Sequence, residues 1–212
     1  MNDNIDIIRQ AGFFKEYEHL SNEELLDALY EIEKKRYSEL FGYAYNPTRD
    51  ENLYSILGLD NKFIDIDLEA DVCSGNEVYI WVLNAFAKAS NGKFAPTDIT
   101  EVWESEEGPI TVSFTSNGKH IVFAPEYAND WLDQRVFEII ENEMKNADNE
   151  KFYICLGPEN EWFGQNIIHI RLTHDEKQLL RNKLRWSFPD DNEQFSVEES
   201  QIALLYKYLA TM

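Results

Sequence analysis

No stretch of the 212-residue chain approaches the roughly 18 consecutive apolar residues of a membrane-spanning helix. The opening residues 1–6 have no basic region and no apolar centre, so no secretory signal is expected there. Cys73 and Cys155 are the only cysteines. The expectation is two reduced thiols in apolar surroundings, as in a cytoplasmic protein, with a disulfide between them as the alternative. The glycine patterns of dinucleotide-binding and phosphate-binding loops are missing, so no cofactor is expected. No internal repeat is visible.

Bases are the other shortage. Lys and Arg number 19 against 40 Asp and Glu, giving a net charge of −21. Acids outnumber bases 18 to 9 in residues 1–96 and 15 to 4 in residues 97–161, but only 7 to 6 in residues 162–212. A field of that sign disfavours nucleic acid and anionic lipid, and it speeds encounter with basic proteins. The alternative is that the charge serves solubility alone. Lys34-Lys-Arg36 is too small a basic cluster for a nucleic-acid site in such a chain.

What is present is a packed, patterned chain, with 43% hydrophobic and 14% aromatic residues. Residues 4–20 suggest a loosely bounded helix with Ile5, Ile8 and Phe13 or Phe14 on one side. Ser21-Asn-Glu-Glu24 is a capping box, opening a helix with Leu25, Leu29, Ile32, Tyr37 and Leu40 that Gly42 ends. Residues 43–62 lack periodicity apart from a short helical turn near residues 53–57. Ser74-Gly-Asn-Glu77 is a second candidate box, before a stripe of Val78, Trp81, Val82, Ala85, Phe86 and Ala89, with Asn91-Gly92 as its stop. Pro109 to Phe123 has the alternation of a hairpin about Asn117-Gly118, a pair suited to a turn with positive φ at both centres.

Asp130 is expected to begin a helix with Trp131, Val136, Ile139 or Ile140, and Met144 inward. Residues 151–156 and 166–172 suggest strands. Thr173-His-Asp-Glu176 is a third box, opening a helix with Leu179, Leu180 and Leu184. Residues 187–194 suggest a linker, and Ser196-Val-Glu-Glu199 a last helix with Ile202, Leu205 and Leu209. The fold class expected is α+β: a largely antiparallel sheet with an Asn-Gly hairpin, flanked by helices at the N- and C-terminal ends. One domain spans residues 1–212. Its parts are helical residues 1–60, a sheet-containing core at 63–186, and a linker with a helix at 187–212.

The least common local pattern is Asp65, Asp67, Glu69 and Asp71 alternating with Ile66, Leu68, Ala70 and Val72. On a strand this places four carboxylates on one face, either as a docking face for a cationic partner or as charges that keep an edge strand from pairing. A calcium loop is disfavoured, because Ala70 stands where the turn glycine belongs and Ile66 and Leu68 are apolar. His169 and His174 lack a fixed ligand spacing. A Cys155–His169 nucleophile pair on neighbouring strands competes with plain packing of an inert thiol. No residue is assigned a catalytic, cofactor or metal role. The residues assigned to partner binding are Asp65, Asp67, Glu69, Asp71, Glu104, Glu106, Glu107, Glu159, Glu161, Trp162 and Phe163. Trp162 is either an exposed anchor ringed by acids or a ring folded back over the sheet.

Ile99-Thr-Glu-Val-Trp-Glu104, Gly108-Pro-Ile-Thr-Val-Ser-Phe114, Asn117-Gly-Lys119 and Tyr127-Ala-Asn-Asp-Trp-Leu-Asp133 lie within a segment from Phe94 to about Leu184. That segment resembles the bacterial immunity proteins encoded beside polymorphic or contact-dependent toxins. The resemblance is one of texture and covers under half the chain. It implies a cytoplasmic, non-enzymatic α+β protein that binds and neutralises a basic toxin or effector domain. The competing expectations are a metal-dependent enzyme of unrecognised type and a regulatory adaptor.

Overall fold

The computed structural model describes residues 2–42, 53–144, 149–162 and 164–189. One strand, β7 (Asn166–Thr173), is buried on both faces and divides the apolar interior in two. It lies between β1 (Phe63–Asp67) and β5 (Glu150–Ile154), antiparallel to both. Because side chains alternate along a strand, Ile168, Ile170 and Leu172 enter one core while Ile167 and His169 face the other. Burial on both faces explains why Ile167, Ile168, Ile170 and Leu172 of β7 do not follow a strict apolar–polar alternation.

The first core is roofed by helices. α1 (Asn2–Gln10) supplies Ile5 and Ile8, α2 (Asn22–Phe41) supplies Leu25, Leu26 and Leu29, and α6 (His174–Leu184) supplies Leu180. The short α3 (Leu53–Leu57) adds Ile56 and Leu57. The helix expected over residues 4–20 stops at Gln10. Gly12 follows at φ 77°, where a Cβ would stand 2.4 Å from Glu176 Oε1. The chain then runs through Phe14, also at positive φ, into a 3₁₀ turn at Lys15–Tyr17.

Ser21 caps α2 as expected: its amide donates to Glu24 Oε2 at 2.8 Å, and the Glu24 amide to Ser21 Oγ at 3.3 Å. Gly42 ends the helix at φ 65°. The 20-residue helix is about 30 Å long. Its apolar stripe is buried only in the first half, at Leu25, Leu26 and Leu29, and Ile32 and Leu40 are exposed.

The second core lies between the other face of the central sheet, α4 (Val78–Ala89), α5 (Arg135–Met144) and a separate antiparallel sheet. That sheet has the order β2 (Thr97–Trp103), β3 (Ile110–Ser116), β4 (Lys119–Phe123). Ile110, Val112 and Phe114 are its inward set. The hairpin turns at Asn117 (φ 50°) and Gly118 (φ 74°), as the pair demands. Two residues each of β6 (Gly157–Pro158) and β8 (Trp186–Ser187) form a last ladder. The class is α+β with antiparallel sheets and helices at both ends of the described chain.

Three local expectations are corrected. Ser74 does not cap α4. The helix starts from Glu77 at φ 52° without a side-chain cap, and Glu101 Oε2 on β2 accepts the Tyr79 amide at 2.9 Å instead. α5 begins at Arg135, not Asp130, because Asp133 accepts the Arg135 amide at 3.0 Å while Trp131 bridges to Glu69 and Ala128. Cys73 is exposed; only Cys155 is a core thiol, and both are free. The expected linker over 187–194 falls mostly outside the described residues, and the helix after Ser196 lies outside them entirely.

Candidate functional site

The four alternating carboxylates do not share one strand face. β1 ends at Asp67, Glu69 bridges Trp131, and Asp71 takes a left-handed φ of 50°. The regular pleat is lost after Asp67, and with it the common face. Asp65 and Asp67 are also engaged within the fold. Tyr54 Oη donates to Asp65 Oδ2 at 2.5 Å and Asn166 Nδ2 to Asp65 Oδ1 at 2.7 Å. Gln165 Nε2 donates to Asp67 Oδ1 at 2.7 Å, and the Glu69 amide to the same oxygen at 3.0 Å. Among the described residues β1 pairs only with β7, so these acids lie along an edge of that sheet, where charge discourages further pairing. Desolvation and the neighbouring Asp65 carboxylate push the Tyr54 hydroxyl upward in pKa, so it stays a donor.

Trp162 is folded back. Its ring centroid lies 5.4 Å from that of Tyr54, 6.0 Å from Phe63 and 4.8 Å from Trp186. A Cβ at Gly157 would come within 2.3 Å of the indole, so the glycine is what lets the ring close over the turn. Glu159 and Glu161 remain exposed on that turn, Glu159 within 3.9 Å of Arg185 Nη1. Phe163 lies outside the described residues.

Glu104, Glu106 and Glu107 are exposed in the turn joining β2 to β3. Ser105 Oγ stabilises that turn by donating to the Gly108 carbonyl. The turn borders a surface the sequence reading overlooked. Registers Thr100↔Ser113, Val102↔Thr111 and Ser113↔Val122 place these residues on the outward face of the sheet. Val102 is 55% exposed and Val122 57%. The centre of this face, Thr100, Val102, Thr111, Ser113 and Val122, bears no charge, with Asp98 at the β2 bulge and His120 toward its margin, in a chain of net charge −21. The signal was present in sequence as the alternation of Thr111, Ser113 and Thr115 with Ile110, Val112 and Phe114. The alternation identifies an outward face, but not that the neighbouring strands also leave it uncovered.

The histidine and thiol candidates separate. Cys155 donates its amide to the Ile168 carbonyl at 2.9 Å and belongs to the first core, while His169 faces the second. Strand alternation thus puts the expected pair on opposite faces of the sheet. Burial pushes the Cys155 thiol up in pKa, and its Sγ accepts the Gly157 amide at 3.4 Å. Burial pushes His169 down to about 3, leaving a neutral ring. His174 is exposed at the start of α6, about 16 Å along the extended chain from His169, too far to share an ion. Among the described residues no three His, Cys, Asp or Glu side chains gather as metal ligands, and no helix is long and apolar enough to cross a membrane.

In comparisons with known proteins, the chain matches no family model, no curated sequence and no solved structure.

Proposed function

We propose that the chain is a non-enzymatic acidic binding protein that neutralises a basic toxin or effector domain, in the manner of immunity proteins. The observation that carries this reading is the outward face of β2–β3–β4. There, exposed valines and hydroxyl side chains form an uncharged centre next to Glu104, Glu106 and Glu107. A desolvated centre with a charged border is the anatomy of a protein-docking surface. The sign of the border and of the whole chain selects a basic partner, and the same charge opposes nucleic acid. Asp65 and Asp67 serve mainly the β1 edge of the central sheet, so Glu104–Glu107 carries more of the steering than the β1 row.

The test begins with a basic protein captured from the native host and purified. Its association is followed by stopped flow at several salt concentrations. Association slows as the Debye length contracts from about 10 Å at 0.1 M to about 3 Å at 1 M. Glu104→Gln, Glu106→Gln and Glu107→Gln together lower the association rate, and Val102→Glu with Val122→Glu shortens the lifetime of the complex. Association that ignores salt and all five substitutions would sink the proposal.

A further inference from the structure

A cavity of about 420 Å³ lies between α5 and β5. Lys151, Phe152, Tyr153 and Ile154, consecutive residues of β5, all line it. Consecutive side chains leave opposite faces of a sheet. Tyr153 enters the first core, while Phe152 and Ile154 pack on the second. β7 occupies one side of β5, so a cavity that meets both faces runs past the other side, along the edge of the strand.

Among the described residues no strand pairs with that edge. The Cys155 amide donates to the Ile168 carbonyl at 2.9 Å, which by antiparallel alternation puts the ladder bonds of β5 at Cys155, Tyr153 and Lys151. Phe152 and Ile154 fall between these positions, so their N–H and C=O groups point away from β7, toward the groove. The side chains there are incompletely covered as well: Phe137 of α5, Phe152 and Ile154 are only partly buried. An open strand edge beside apolar side chains is a place that folded chains cover with a helix or loop.

The chain itself leads a cover to this place. Pro189, the last described residue, lines the cavity. Residues 190–212 follow it and lie outside the described residues. Their sequence carries a pattern: Ser196-Val-Glu-Glu199 has the form of a capping box, and Ile202, Leu205 and Leu209 recur behind it at helical spacing. Residues 190–195, extended, span about 20 Å. A helix over residues 197–212 is about 24 Å long, against about 17 Å for the five residues of β5. The segment is long enough both to reach the groove and to cover the whole edge. Glu138, Glu141 and Lys151 on the cavity wall carry both signs, so the apolar stripe rather than charge sets the fit.

We propose that residues 196–212 form an amphipathic helix that docks in this groove, with Ile202, Leu205 and Leu209 against Phe137, Phe152 and Ile154, and so closes the β5 edge. The contact does not involve the β2–β3–β4 face, so it and the function proposed above can fail separately.

The test uses the full chain. Ser200 lies on the side of the segment opposite the stripe, so Ser200→Cys with Cys73→Ser offers a nitroxide label one accessible thiol. In isotope-labelled protein carrying the nitroxide, the NMR signals of α5 and β5 amides should broaden. They should stay sharp when nitroxide-bearing protein without isotope label is mixed with isotope-labelled protein that bears none. Hydrogen exchange supplies the second measurement. Ile202→Asp with Leu205→Asp should speed exchange of the Phe152 and Ile154 amides by about tenfold or more, while the amides of β3 keep their rates. No broadening at α5 and β5 would overturn the proposal. So would broadening only in the mixture, which would make a second copy of the chain the occupant, or unchanged exchange at Phe152 and Ile154.

Discussion

Lys62 Nζ lies 3.0 Å from Glu176 Oε2, and that same oxygen accepts the Thr173 amide at 2.9 Å. The capping carboxylate of α6 is thus also the counter-ion of a lysine that is 3% exposed. Lys62 Nζ donates in addition to the Ala11 carbonyl at 2.8 Å, so one ion pair joins the end of α1, the start of β1 and the start of α6. Burial pulls the Lys62 ammonium below the usual lysine range, and Glu176 opposes that fall. Gly12 beside it leaves no room for a Cβ.

Glu176→Ala should therefore cost more than an ordinary cap, about 3 kcal/mol in urea unfolding, because it strands a buried charge. Lys62→Met combined with Glu176→Gln should recover most of that loss, since no lone charge remains. Equal destabilisation in the single and double variants would show that the pair does not act together.

His169 makes stability depend on acid. Its folded pKa of about 3 lies below the unfolded value of about 6.5, so the unfolded chain binds the proton more readily. Stability is full above the unfolded pKa and falls as pH drops toward 3. Between pH 7 and pH 5 the expected loss from this group is about 2 kcal/mol. His169→Phe should flatten that part of the profile in urea titrations run at each pH.

At Gly118 the hairpin turn depends on backbone freedom, while Asn117 Nδ2 also donates to Glu143 Oε2 at 3.1 Å. Gly118 sits at φ 74° with nothing within 4 Å of a built Cβ. Gly118→Val should lower stability by about 1–2 kcal/mol through left-handed strain, whereas Gly118→Asn should cost much less. Equal melting temperatures for the two variants would contradict the strain argument.

The thiols should differ in reactivity. Exposed Cys73 should react with Ellman's reagent in the native protein, while Cys155, buried and with its thiol pKa raised, should react only on unfolding. One thiol counted before urea and two after is the expected result; two at once would show that the first core opens readily.

What the sequence determined about this protein is what residues a few positions apart settle between themselves. Ser21 with Glu24, Thr173 with Glu176, and Asn117 with Gly118 need only each other, and each forms as its spacing implies. The alternation of Ile110, Val112 and Phe114 likewise fixes an inward face before any partner strand is known. Tertiary structure decided where a distant group outbid the local one. Glu101 replaces Ser74 at the start of α4 from 22 residues beyond Tyr79, and the bridges of Trp131 hold residues 128–132 out of α5. The same holds for the sites. Asp65 and Asp67 are drawn to Tyr54, Asn166 and Gln165, which no local period could show. His169 meets Phe86 and Phe137 only because β7 is covered on both faces, and that depends on which helices the chain lays on either side of it.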